Sequence, residues 1–129
     1  IFERNNLEVK APIYANKLKF NNKDIEVNFL HEVKEEECHM DFGVCGNCKY
    51  KVIKKYKPQN NPIIYIGDGL TDRCAALEVD LVLAKKGHSL EEYCQEKGLN
   101  HYVFEDFKDV MKILEDLIHR EDNKDEICL

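Results

Sequence analysis

An α/β fold built on a parallel sheet is predicted by three features of the second half of the chain. Pro62-Ile63-Ile64-Tyr65-Ile66 is a short, continuous apolar run that exits into Gly67-Asp68-Gly69. Runs of this kind read as strands buried on both faces, as in parallel sheets covered by helices. Asp80 to Ala84 is a second such run, and helical patterns lie between and after the two. Alternating strands and helices imply right-handed crossovers and hence parallel pairing.

The elements follow in order. Ile13 to Tyr14 and Leu18 to Phe20 read as short extended pieces. The turn-prone Asn21-Asn22-Lys23-Asp24 and a second extended run, Ile25 to Phe29, complete a hairpin. His31 to Gly46 is charged, cysteine-bearing and aperiodic, so residues 31–48 are expected to form a loop or insertion. Tyr50 to Tyr56 fits a short helix that ends before Pro58. After the Ile63–Ile66 strand, Thr71 or Asp72 starts a helix through about Leu77. Ser89 is placed to cap a helix through Lys97, with Glu92 three positions on completing a capping box, and Gly98 is its natural stop. His101 to Phe104 reads as an edge strand. Asp106 then caps a last helix to about Arg120, whose apolar positions Phe107, Val110, Met111, Leu114, Leu117 and Ile118 follow helical spacing. One domain over residues 1–120 and a polar tail over 121–129 are expected.

The totals narrow the function classes. The chain has 129 residues, 43% hydrophobic and 34% charged, a balance that suits a single globular core. Its formal net charge is -6 and it carries no dense Lys/Arg stripe, which argues against nucleic acid. No apolar run approaches the roughly 20 residues that span a bilayer. Of the six cysteines, Cys38, Cys45 and Cys48 cluster, whereas Cys74, Cys94 and Cys128 are scattered. That pattern is unlike a secreted disulfide scaffold and places the protein in the cytoplasm. The chain begins with Ile1 and no signal-peptide core follows, so a start within a longer protein is expected.

Ligands of open α/β sheets sit beyond the carboxyl ends of the strands, where Gly67-Asp68-Gly69 falls. Asp68 and Asp72 are four apart, one at a strand exit and one in the first turn of a helix. Two such carboxylates suit Mg²⁺, which takes one or two of them with water and a substrate phosphate. Equally, Asp72 reads as a helix N-terminal residue favoured by the macrodipole, and Asp68 as a turn former. Lys49 opens the helix after Cys48 and offers a point charge to a phosphate, or is one solvated lysine among many. Cys45-Gly46-Asn47-Cys48 has the thioredoxin-like spacing, but the stretch before it is a poor strand. Cys38, His39, Cys45 and Cys48 form a possible Zn²⁺ set, although the spacing matches no common ribbon. A loop of reduced thiols is the simplest account of them.

Together, Tyr14-Ala15-Asn16-Lys17-Leu18-Lys19-Phe20, then Cys45-Gly46-Asn47-Cys48-Lys49, then Ile66-Gly67-Asp68-Gly69-Leu70-Thr71-Asp72-Arg73-Cys74-Ala75-Ala76 resemble the haloacid dehalogenase superfamily. The likeness is to its phosphoserine-phosphatase-like branch. Leu83-Ala84-Lys85, Tyr93-Cys94 and Asn100-His101 through Phe107 narrow it to the methionine-salvage phosphatases. The resemblance implies a Rossmann-like, three-layer α/β domain of which this is the C-terminal part, without the first two core strands and the cap. It implies hydrolysis of a small phosphorylated metabolite through an aspartyl-phosphate. Lys49 would hold the phosphate, Asp68 and Asp72 would form the acidic Mg²⁺ pair with Asp68 the direct ligand, and Gly67 and Gly69 would shape their loop. Nothing in Ile1 to Lys10 supplies the nucleophile motif, so the chain alone is expected to be inactive and to require an upstream segment, in the same protein or as a separate chain. The rival expectation is a zinc- or partner-binding module, or a non-catalytic remnant, that uses the Cys38–Cys48 segment.

Overall fold

A computed structural model of the chain describes residues 3–29, 38 and 47–127. The chain divides into two compact units, Ile1–Cys48 and Lys49–Leu129.

In the first unit, β1 (Lys17–Asn21) and β2 (Asp24–Asn28) pair antiparallel, with Asn21 opposite Asp24 across the two-residue turn Asn22-Lys23. This is the expected hairpin. Its register sets Leu18 opposite Val27 and Phe20 opposite Ile25, so the period-2 alternation gathers four apolar side chains on one face. All four are exposed. The extended piece expected at Ile13 to Tyr14 is irregular chain instead. Two apolar residues are too short a run to define a strand. The Asn47 side-chain amide donates to the Tyr14 carbonyl at 3.0 Å. The stretch expected as a loop, His31 to Gly46, lies outside the described residues except for Cys38, which is half-buried.

The second unit is α/β. It runs α1 (Lys49–Tyr56), β3 (Ile64–Gly67), α2 (Arg73–Ala76), β4 (Leu81–Lys85), α3 (Ser89–Lys97), β5 (His101–Phe104) and α4 (Phe107–Ile127). The three strands form a parallel sheet in the order β3-β4-β5, with Ile64 opposite Leu81 and Val82 opposite His101. Alternation along β4 sends Val82 and Ala84 to one face, where they pack with Ala76, Leu90 and Cys94, flanked by Tyr65, Val79 and Leu99. Leu81 and Leu83 point the other way and meet Phe104 and Val110, flanked by Ile113, Leu114 and Leu117 of α4. Helices thus cover both faces of β4, and its first four residues are buried, as its apolar run requires.

β3 departs from expectation. Ile64 and Ile66 share the face of Leu81 and Leu83, yet each remains 39% exposed. The reason is position: among the described residues β3 pairs on one side only, and α4 reaches β4 and β5 but not the sheet's far edge. An apolar run reports side-chain character, and burial also needs a neighbour.

The helix ends show their chemistry. The Asp106 carboxylate accepts the N–H groups of Lys108 and Asp109, while Asp109 accepts that of Glu105, so α4 is capped where expected. It runs on to Ile127, past the expected end at Arg120, because residues 121–127 contain neither Gly nor Pro to stop an established helix. α4 turns Val110, Ile113, Leu114 and Leu117 to the sheet and leaves Phe107, Met111 and Ile118 exposed, which corrects the expected apolar stripe. α3 begins one residue earlier than expected: Ser89 is its first helical residue and His88 precedes it. The predicted Ser89–Glu92 capping box is therefore replaced by Glu91, whose carboxylate accepts the Gly87 N–H. Gly98 ends α3 at φ 62, the left-handed conformation expected of it.

Candidate functional site

The carboxyl end of β3 opens into a tight loop, Gly67 to Asp72, whose last residues Leu70–Asp72 form one 3-10 turn before α2. Asp72 organises this loop. Only 3% of the residue is exposed, and its side chain turns back toward the strand exit. Oδ2 accepts the backbone N–H groups of Asp68 and Gly69, both at 2.9 Å. Oδ1 accepts the Tyr65 hydroxyl at 2.6 Å and lies 2.6 Å from the Lys49 ammonium. A carboxylate offers about four acceptor positions, and here four donors fill them.

This crowding explains Gly67. A Cβ there would fall 2.7 Å from Asp72 Oδ2 and 2.9 Å from the Tyr65 ring, closer than side-chain atoms tolerate. Gly69 is under no such demand, since a Cβ would meet Asp72 Oδ2 at an ordinary 3.8 Å.

The electrostatics follow from the donors. Burial pushes the Asp72 carboxyl up, but the bonds from Lys49, Tyr65 and the two loop amides outweigh it and hold the group below the ordinary carboxylate range. Burial and the bond to Asp72 push the Tyr65 phenol far up, so it stays protonated and donating. Lys49, the first residue of α1, also donates to Thr71 Oγ1 at 2.8 Å, and its side chain remains 38% exposed.

Asp68 behaves differently from Asp72. Its backbone is tied down, the N–H to Asp72 and the carbonyl to the Leu90 N–H at 3.1 Å, which stitches the start of α3 to the loop. Its carboxylate is 65% exposed and stands 3.8 Å from His88 Nδ1, at the exit from β4. The two carboxylates expected to act as a pair therefore face different ways, one into the protein and one out of it.

The structure thus gathers Lys49, Gly67, Asp68, Gly69 and Asp72 in one place, together with three residues that sequence reading passed over: Tyr65, Thr71 and His88. Only Tyr65 carried a signal, a phenol inside an aliphatic strand that must find a partner when buried. The cysteine set is not gathered in this way. Cys48 is buried and Cys38 half-buried, while His39 and Cys45 lie outside the described residues. Among the described residues no three His, Cys, Asp or Glu side chains are placed to hold a metal ion together. No helix among them is long and apolar enough to cross a membrane.

No protein-family model matches the chain. Known proteins do. The chain is 37% identical over 107 residues to the bifunctional enzyme MtnB/MtnX of Bacillus licheniformis, a match that covers 83% of this chain and 24% of that protein. It is 35% identical over 109 residues to the 2-hydroxy-3-keto-5-methylthiopentenyl-1-phosphate phosphatase of Bacillus cereus, covering 84% of this chain and 47% of that one. The protein of the same name from Lysinibacillus sphaericus is 33% identical over 106 residues, covering 82% and 46%. The chain thus spans about half the length, or less, of these curated relatives. It matches their C-terminal part. That likeness runs through the loop that Asp72 organises, and it makes the chain a counterpart of the C-terminal part of the 2-hydroxy-3-keto-5-methylthiopentenyl-1-phosphate phosphatases, which are enzymes of the haloacid dehalogenase family.

Proposed function

We propose that this chain supplies the lysine and acidic motifs of a cytoplasmic, magnesium-dependent phosphomonoesterase that acts on a small phosphorylated metabolite. The names of its relatives point to 2-hydroxy-3-keto-5-methylthiopentenyl 1-phosphate. One observation carries the reading: Lys49 is held by Asp72 beside the exposed Asp68, at the carboxyl end of a parallel strand. Ligands of open α/β sheets bind there.

The residues present fit Mg²⁺. Asp68 offers an exposed, hard oxygen donor, and Mg²⁺ needs few protein carboxylates because water and substrate phosphate complete its shell. Bound there, the cation would neutralise the phosphate and polarise it for in-line attack. Asp72, with its acceptor positions filled, would keep the Lys49 ammonium charged and in place instead of binding the cation. Lys49 would hold a phosphate oxygen, and Gly67 would let the loop close tightly over Asp72.

In this reading the nucleophilic aspartate that forms the aspartyl-phosphate comes from outside these 129 residues, along with two core strands and the cap. Among the described residues the outer edge of β3 has no paired strand and Ile64 and Ile66 are exposed, which supports that placement, because an added strand would pair the one and help cover the others.

The test is p-nitrophenyl phosphate hydrolysis, with and without Mg²⁺, by the 129-residue chain and by the protein of its complete reading frame. Magnesium-dependent turnover by the longer protein, lost in Asp68→Asn, is the expected result. A folded longer protein with no turnover overturns the reading.

A further inference from the structure

An ammonium group has three N–H bonds and a flexible four-carbon stem, so a lysine that must meet an anion at a defined point has to be aimed. Lys49 is aimed by two contacts. Asp72 Oδ1 lies 2.6 Å from Nζ, and Thr71 Oγ1 accepts from the same nitrogen at 2.8 Å. Both acceptors belong to one 3-10 turn, Leu70–Asp72, so their separation is set by the backbone and not by two independent side chains. With two N–H groups directed at fixed points, the third has a fixed direction as well.

The two contacts differ in what they can contribute. Asp72 neutralises Lys49, but a single carboxylate oxygen leaves the ammonium free to swivel about the contact. That oxygen is itself immobile, since Tyr65 and the loop amides hold the carboxylate from its other sides. Thr71 carries no charge and is exposed, so it adds little to the core. What it adds is a second point, which removes the swivel.

We infer that Thr71 is a positioning residue: its hydroxyl, together with Asp72, directs the remaining N–H of Lys49 toward the anionic oxygens of a phosphate. This rests on the phosphatase reading for the identity of the anion, but the aiming of Lys49 does not.

The experiment uses Thr71→Val, which keeps the shape and removes the hydroxyl, and Thr71→Ser, which restores it. It is run on the complete protein with two readouts. The first is independent of turnover: the rate at which an amine-reactive acylating reagent modifies Lys49, followed by mass spectrometry, with Lys108 and Lys112 as internal references. Loss of a hydrogen bond predicts modification of Lys49 about two- to fivefold faster in Thr71→Val, unchanged reference lysines, and reversion in Thr71→Ser. The second is kinetic: inhibition by inorganic phosphate weakens and KM for p-nitrophenyl phosphate rises by about the same factor, while the Mg²⁺ concentration for half-activation stays put. Lys49 labelling that is unchanged in Thr71→Val overturns the inference, as does faster labelling of every lysine, which would mark general loosening. Lack of turnover in the unmodified protein sinks the phosphatase reading alone, and the labelling still decides whether Thr71 aims Lys49.

Discussion

Asp68→Asn and Asp72→Asn make the same chemical change four residues apart, and the structure gives them different consequences for stability. In Asp72→Asn the one remaining carbonyl oxygen can still accept the amides of Asp68 and Gly69. Its new NH₂ then faces the Lys49 ammonium, donor against donor, and Tyr65 must turn its hydroxyl to accept. The main loss is the charge-assisted bond to Lys49. Such bonds contribute about 1.5–3 kcal/mol, and with Lys49 more than a third exposed a value of about 2 kcal/mol is appropriate. In a unit of roughly 80 residues this lowers the melting temperature by about 8–16 °C. Asp68→Asn alters a carboxylate that is 65% exposed and should change stability by no more than about 0.5 kcal/mol. The assay pairs thermal unfolding of the 129-residue chain, followed by circular dichroism, with magnesium-dependent hydrolysis of p-nitrophenyl phosphate by the longer protein. Asp68→Asn is expected to melt like the unmodified protein and to lose its turnover. Asp72→Asn is expected to lose both stability and turnover. Equal melting temperatures for the two variants would refute the assignment of Asp72 as the buried anchor.

Further outcomes follow from the same loop. Gly67→Ala places a Cβ against Asp72 Oδ2 and the Tyr65 ring and should destabilise by about 1–3 kcal/mol, whereas Gly69→Ala should stay within about 0.5 kcal/mol; urea midpoints compare them. Tyr65→Phe keeps the ring against the core but strips one donor from a buried carboxylate, for a loss of about 1–2 kcal/mol by the same measurement. The depressed acidity of Asp72 sets a sign for pH. Its contribution is fully present above the unfolded carboxylate value of about 3.9 and is lost as pH falls through the lower folded value. The stability gap between the unmodified protein and Asp72→Asn should therefore be constant from neutral pH to about pH 5 and shrink on further acidification. A gap that widens in acid contradicts a depressed Asp72.

Much of the second unit was legible because its elements rest on local signals. The apolar runs at Ile63–Ile66 and Asp80–Ala84, the left-handed stop at Gly98 and the Asp106 cap each depend on few residues. What was not legible depended on neighbours. The run in β3 looks as apolar as that in β4, yet among the described residues only β4 has a strand on each side. On α4, Phe107, Met111 and Ile118 satisfy the same spacing as the buried positions, and the sheet's width decides which stripe it covers. At the site, four-residue spacing brought Asp68 and Asp72 close but could not say which way either pointed. Their directions come from the loop amides and from Tyr65 and Lys49, partners three to twenty-three residues away.

Asp72 is not a stability device that an apolar residue could replace. A buried ion pair is often matched or exceeded by well-packed hydrophobic side chains. Here such a replacement would strand the N–H groups of Asp68 and Gly69 at the strand exit, where the loop gives them no other acceptor among the described residues. The loop takes its shape because one carboxylate collects those amides, and the other oxygen of that carboxylate fixes the lysine. Loop shape and lysine position are thus set by a single group, so no apolar substitution at Asp72 can separate them. Lys49→Met can, since it leaves Asp72 with its two amides and the Tyr65 hydroxyl. The loop in Lys49→Met should keep its amide protection from hydrogen exchange at Asp68 and Gly69 while phosphate inhibition disappears. Exposure of those two amides in Lys49→Met would mean that the lysine holds the carboxylate in place, and not the reverse.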